Sequence, residues 1–138
     1  MKVLLAVDGS PFTGKMLNYL ITHLAMFSGT QEFTVLTVQA PLPAGVAVVK
    51  EAKEAYYAEE SAKALDPAIK LLEGHGLKVK GLTMVGNVGE LIAKTADSEN
   101  FDLIMMGSHG RSALGKLVMG SVATHVLAQS KTPLLLVR

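Results

Sequence analysis

The stretch Phe101–Ser121, FDLIMMGSHGRSALGKLVMGS, decides how this chain is read. It opens with an apolar run of strand length, Phe101 to Met106, which ends abruptly at glycine. Three glycines and a serine follow at a fixed spacing: Gly107, two residues, Gly110, nine residues, then Gly120-Ser121. A glycine-rich turn after a buried strand lets backbone N–H groups approach an anion with no side chain in the way. Ser121 stands where it can cap the next helix and touch phosphate.

The same alternation of strand and helix extends outward from this segment. Val3 to Val7 and Phe33 to Val38 are short β-rich apolar runs. Lys78 to Val85 alternates, with Leu77, Val79, Leu82 and Met84 as expected buried positions, and Pro133 to Val137 completes the strands. Between them lie segments of helical period: Thr13 to Phe27, Val49 to Glu73, Val88 to Ser98 and Val122 to Gln129. Strict βα alternation with continuous apolar strands predicts a doubly wound parallel sheet with right-handed crossovers and helices on both faces.

Local signals set the boundaries. Ser10-Pro11 opens the first helix, and Gly74 and Gly76 close the second. Asp66-Pro67 interrupts the second helical pattern, which then either kinks or restarts with Asp66 as cap; a kinked, continuous helix is the favoured reading. Ala40 to Val46, with two prolines and a glycine, is a loop and the expected mobile element.

Composition narrows the class. A chain of 138 residues, 49% apolar and 18% charged, is the size of one domain, 1–138, with enough apolar material for a core on both faces of a sheet. A net charge of +1 with no basic run gives no footprint for nucleic acid or an anionic membrane. The absence of cysteine excludes disulfides and thiolate metal sites. The opening MKVLLAVDGS turns polar too soon for a signal peptide, so a cytoplasmic location is expected.

In an open parallel sheet, ligands bind beyond the carboxyl ends of the strands, and Asp8 and the Gly107 turn both lie at such ends. They are therefore expected to share a crevice. Asp8 has two readings of similar weight there: a carboxylate accepting from a ribose hydroxyl or holding a hydrated cation near phosphate, or a group that merely caps the first helix.

Over essentially its whole length the chain resembles the universal stress protein family, in its nucleotide-binding branch, and the glycine signature Gly107, Gly110, Gly120-Ser121 is matched at every fixed position. The resemblance implies a Rossmann-like, adenine nucleotide alpha hydrolase-like fold with five parallel strands in the order 3-2-1-4-5. It also implies that Gly107, Gly110, Gly120 and Ser121 surround the phosphates and ribose of ATP, that Asp8 lies beside the nucleotide and that Val38 borders adenine. Ala6, Met106 and Val122 are further positions it sets against the ligand. Mg²⁺ would be carried on the phosphates, with no metal site in the protein itself. A homodimer paired through the last strand, Thr132 to Arg138, is implied as well. Two positions depart from the family pattern. Ala6 replaces a frequent proline, and Val88 replaces a frequent proline or alanine at what is read as a helix start away from the ligand.

The remaining motifs carry less. Gly110 to Lys116, GRSALGK, fits a Walker A loop until Leu117 takes the place of the required Ser or Thr, and reads as a coincidence over a short packed helical turn. His109 and Arg111 are possible phosphate contacts, with shaping of the turn the commoner role for the histidine. His23, His75 and His125 stand at no metal-ligand spacing. Ser10 and Ser108 have no evident activating base. The functional expectation is a cytoplasmic, ATP-binding homodimer acting as a nucleotide-responsive stress or signalling module. The alternatives are a slow Mg²⁺-dependent ATPase and a nucleotide-free dimer with a chaperone-like interaction surface.

Overall fold

The computed structural model describes residues 1–45, 47–110 and 119–138. Its strands are β1 (Lys2–Ala6), β2 (Glu32–Gln39), β3 (Val79–Val85), β4 (Leu103–Gly107) and β5 (Leu134–Val137). All pair in parallel in one sheet of order β3-β2-β1-β4-β5. The register aligns Ala6 with both Leu36 and Met106, so the carboxyl ends of β1, β2 and β4 lie side by side.

Helices α1 (Pro11–Thr22) and α2 (Lys50–Gly74) cover one face of the sheet, and α3 (Val88–Ser98) and α4 (Ser121–Gln129) cover the other. The period of two along each strand divides the core accordingly. Val3, Leu5, Val7, Phe33, Val35 and Met105 pack with Met16 and Leu20 of α1 and Ala64, Ala68 and Leu72 of α2. Leu4, Ala6, Leu36, Val38, Ile104 and Met106 pack with Ile92 and Ala96 of α3 and Ala123 and Val126 of α4. A central strand that feeds both clusters must be apolar along its buried length, which is why VLLAV reads as a continuous run. Fully burying each large side chain of this kind stabilises the fold by roughly 1.5–3 kcal/mol.

The helix ends follow local chemistry. α2 closes on a left-handed Gly76 (φ +79°), with Leu77 N–H bonded to Leu72 O and Gly76 N–H to Glu73 O. α3 closes in the same way on Asn100 (φ +56°), with Phe101 N–H on Ala96 O. α2 runs unbroken through Pro67 and does not restart at Asp66. The first helix is shorter than its apolar pattern, ending at Thr22 and followed by a 3-10 turn over Leu24–Met26. Thr22 Oγ1 donates to Asn18 O at 2.9 Å and lies 3.2 Å from Tyr19 O. His23 Nδ1 sits 2.9 Å from that same Tyr19 carbonyl. These side chains compete for the carbonyls that would continue the helix. Leu77, Val79, Leu82 and Met84 are only half-buried, because β3 is an outer strand. No helix among the described residues is long and apolar enough to cross a membrane.

Candidate nucleotide site

The turn after β1 is built by Asp8. Its Oδ1 accepts from Ser10 N–H at 2.9 Å and from Thr13 Oγ1 at 2.9 Å, while Thr13 Oγ1 accepts from Asp8 N–H at 3.0 Å. Gly9 (φ +76°) supplies the left-handed residue that this tight turn requires. Ser10 is the N-cap of α1, but its side chain makes no capping bond, and Pro11 follows at the first helical position. The carboxylate of Asp8 therefore fixes the entry to α1 through one oxygen. Oδ2 takes no part in those bonds.

The turn after β4 comes down onto Asp8 from the other side. A Cβ on Gly110 would lie 2.8 Å from Asp8 Oδ2, so only glycine permits this approach without a shift. Gly107 is constrained by packing: its Cβ would stand 2.5 Å from Phe12 Cβ and 3.1 Å from the backbone carbonyl of Phe12. Gly120 donates to Ser108 O at 2.7 Å, and a Cβ there would meet His109 Cα at 3.1 Å. The described signature glycines thus serve close approach, and none of these three has a left-handed φ.

His109 belongs to the architecture of this turn. Its Nδ1 lies 2.8 Å from Ser108 Oγ, and its ring tilts against Phe12 with centroids 4.9 Å apart. Gly120 is also the N-cap of α4, and Ser121 is the first helical residue; the expectation that Ser121 caps the helix is corrected here. With Gly already holding the cap position, Ser121 stands one residue too far along for its hydroxyl to do so. The first bond inside α4 runs from Thr124 N–H to Gly120 O, which leaves the N–H groups of Ser121, Val122 and Ala123 without a partner within the helix.

These turns enclose a cavity of about 390 Å³ at the carboxyl ends of β1, β2 and β4, a volume within the range of small-molecule sites. Ala6, Asp8, Val38, Met106 and Gly107 line it, as do His109, Gly110, Gly120, Ser121 and Val122. Arg111, and the GRSALGK segment beyond Gly110, lie outside the described residues. The wall is polarised along the sheet. Toward β2 it is made of Leu36, Val38, Val88 and Ile92; toward β4 it consists of glycine backbone and the start of α4. An apolar slot at one end and helix N–H groups with no partner inside α4 at the other suit a flat heterocycle carrying an anion.

Several lining residues are missing from the motif reading. Thr13, Thr37 and Gln39 are among them, as are Ala40, Ile92 and Ala123. Val88 corrects an expectation: it starts α3 and also lines the cavity, because the first turn of α3 faces the carboxyl ends of the strands. Thr37 stands next to Val38 in the run EFTVLTVQ, where nothing in the sequence marks it. Its Oγ1, like Ser10 Oγ, is buried with no hydrogen-bond partner among the described residues.

The universal stress protein family model matches residues 1–138. The chain is 40% identical over 80 residues to Universal stress protein MJ0577 of Methanocaldococcus jannaschii, a match covering 58% of this chain and 49% of that protein. It is 31% identical over 137 residues to Universal stress protein Slr1230 of Synechocystis sp., covering 99% of this chain and 42% of the relative. The chain thus spans about half, or less, of the curated relatives it matches. The solved structure of MJ0577 superposes with a TM-score of 0.85 at 31% identity, covering 99% of this chain and 94% of that one. A universal stress protein solved in complex with cAMP shares the fold, with a TM-score of 0.72 at 20% identity over 100% of this chain and 97% of that one.

Proposed function

The chain belongs to the universal stress protein family, and from that premise we propose that it is an ATP-binding member acting as a nucleotide-responsive stress or signalling module. The observation that carries the reading is the cavity in which the signature glycines, Asp8 and the start of α4 come together. Adenine fits the apolar slot beside Val38, Ala6 and Met106, and the ribose and phosphates lie along Gly107, Gly110, Gly120 and Ser121. Val122 closes the wall. A family member with this fold solved with cAMP supports an adenine nucleotide as the ligand class.

Mg²⁺ enters on the phosphates. Asp8 is the only carboxylate among the described lining residues, and no cluster of three acidic or histidine side chains suitable for a metal occurs among the described residues. In this reading Arg111 and His109 contact the phosphates. In this reading the protein works in the cytoplasm as a single domain, without nucleic-acid or membrane partners. It pairs with a second copy through Thr132 to Arg138. β5 is an outer strand carrying Leu134 to Val137, and an unpartnered apolar edge invites strand pairing. Sedimentation over a wide concentration range tests the dimer, and a strictly monomeric protein rejects it.

The direct test of the function is isothermal titration of protein stripped of co-purified nucleotide by unfolding and refolding. ATP with Mg²⁺ is expected to bind with micromolar or tighter affinity. Gly120→Ala forces a methyl group onto the backbone of Ser108 and His109 and is expected to weaken binding at least about tenfold, since displaced donors lose their charge-assisted bonds. Absence of both heat and thermal shift in refolded wild-type protein overturns the reading.

A further inference from the structure

We infer that the contact between Gly89 of α3 and His125 of α4 sets the spacing of the two walls between which the nucleotide lies, so that both are positioning residues for it; this rests on the nucleotide-binding reading above. α3 and α4 pack on each other over the same face of the sheet. Gly89 is buried in the first turn of α3. A Cβ there would stand 2.7 Å from His125 Cβ, 2.8 Å from its Cγ and 3.1 Å from its Nδ1. A change of rotamer leaves His125 Cβ in place, so any side chain at position 89 has to push the two helices apart. The distance between packed helices follows the side chains at their contact, and here glycine keeps it short.

Neither residue is among those lining the cavity, yet each belongs to a helical turn that does. On α3, Val88 precedes Gly89 and Ile92 follows one turn on; on α4, Ser121 and Val122 lie one turn before His125. In the proposed pose the α3 turn borders the base and the α4 turn offers N–H groups to phosphate. The ribose joins base to phosphate over a fixed length, so a nucleotide engages both turns only at one separation. A ligand that touches a single wall is indifferent to it. α4 is tied at its cap, where Gly120 N–H bonds to Ser108 O at 2.7 Å. α3 is entered through Gly86-Asn87, and Gly86 has the wider backbone freedom of glycine, so strain at position 89 falls on α3 and on the base wall.

Three variants read the spacing by titration with ATP and with inorganic triphosphate. Gly89→Ala adds a methyl group to the contact, His125→Gly removes the whole side chain, and Gly89→Ala/His125→Gly carries the Cβ across from one helix to the other. Each single change is expected to weaken ATP about tenfold, a coupling usual for residues in contact. The double variant should recover to within about threefold of wild type. Inorganic triphosphate, which meets only the α4 wall, should bind all three as it binds wild type. If Gly89→Ala does not fold, the comparison is read from His125→Gly and the double variant, where the clash is absent. A folded single variant that keeps wild-type ATP affinity overturns the inference while leaving nucleotide binding intact. A double variant that binds ATP no more tightly than His125→Gly overturns it as well. A loss of triphosphate affinity matching the loss of ATP shows a site collapsed as a whole, and this too overturns the inference. Wild-type protein that binds no ATP overturns the underlying reading itself.

Discussion

The two ends of the sheet treat their polar groups in opposite ways. At the amino ends of the strands, Asp97 near the close of α3 gathers the segment leading into β5. Its Oδ1 accepts from Ser130 Oγ at 2.7 Å, Thr132 Oγ1 at 2.8 Å, Lys131 N–H at 3.1 Å and Thr132 N–H at 3.3 Å. Lys2 is bound nearby, its N–H on Asp102 Oδ2 at 2.7 Å and its Nζ on Glu99 O at 2.6 Å. At the carboxyl ends, Asp8 uses one oxygen for the fold, and the first N–H groups of α4 have no partner within their helix. Polar groups satisfied by their own chain hold a fold together. Those left facing a cavity are available to a ligand, so hydrogen-bond accounting separates two aspartates that both sit beside helix ends.

The comparison is broken most directly at Asp97. Asp97→Ala leaves two hydroxyls and the Lys131 N–H without their acceptor, while Thr132 N–H keeps Ser130 Oγ, and is expected to lower unfolding free energy by about 1–2 kcal/mol, measured by urea denaturation. Nucleotide affinity should stay within about twofold of wild type, because the change lies at the far end of α3 from the cavity. Equal losses of stability and affinity would show that the two ends are not independent.

Much of this division is legible in the sequence. The five strands follow from apolar runs whose length and β-branched content suit a sheet, and their ends differ from the structure by no more than about two residues, the usual scatter of strand boundaries. The strand order entered through the family resemblance, because a βα repeat alone does not fix which strand neighbours which. The glycines of the cavity are visible as spacing, yet their reason is not: Gly107 is required by Phe12, which belongs to α1 at the opposite end of the chain. Thr37 is silent in the sequence, since a threonine within a strand is ordinary, and only burial without a partner sets it apart. Asp97 is equally silent, because its partners lie 33 to 35 residues away. The early end of α1 escapes the apolar pattern because side-chain hydrogen bonds at Thr22 and His23 decide it.

A smaller effect sharpens the contrast through pH. The Ser130 hydroxyl, foremost, holds the Asp97 carboxyl below the ordinary aspartate range. Partial burial opposes this, and the Thr132 hydroxyl and the N–H groups of Lys131 and Thr132 add to the lowering. A depressed folded-state value means that the unfolded chain takes up the proton first as pH falls. The contribution of Asp97 to stability is therefore complete above the unfolded value of about 3.9 and is lost progressively as pH drops through the lower folded value. Asp97→Asn carries no titrating group there, so its gap in stability from wild type should be widest near neutrality and narrow on acidification below about pH 4. Urea midpoints of both proteins at successive pH values measure that gap. A gap that stays constant down to the acid limit would mean that the hydroxyl and N–H donors do not favour the charged carboxylate, and that Asp97 acts through shape alone.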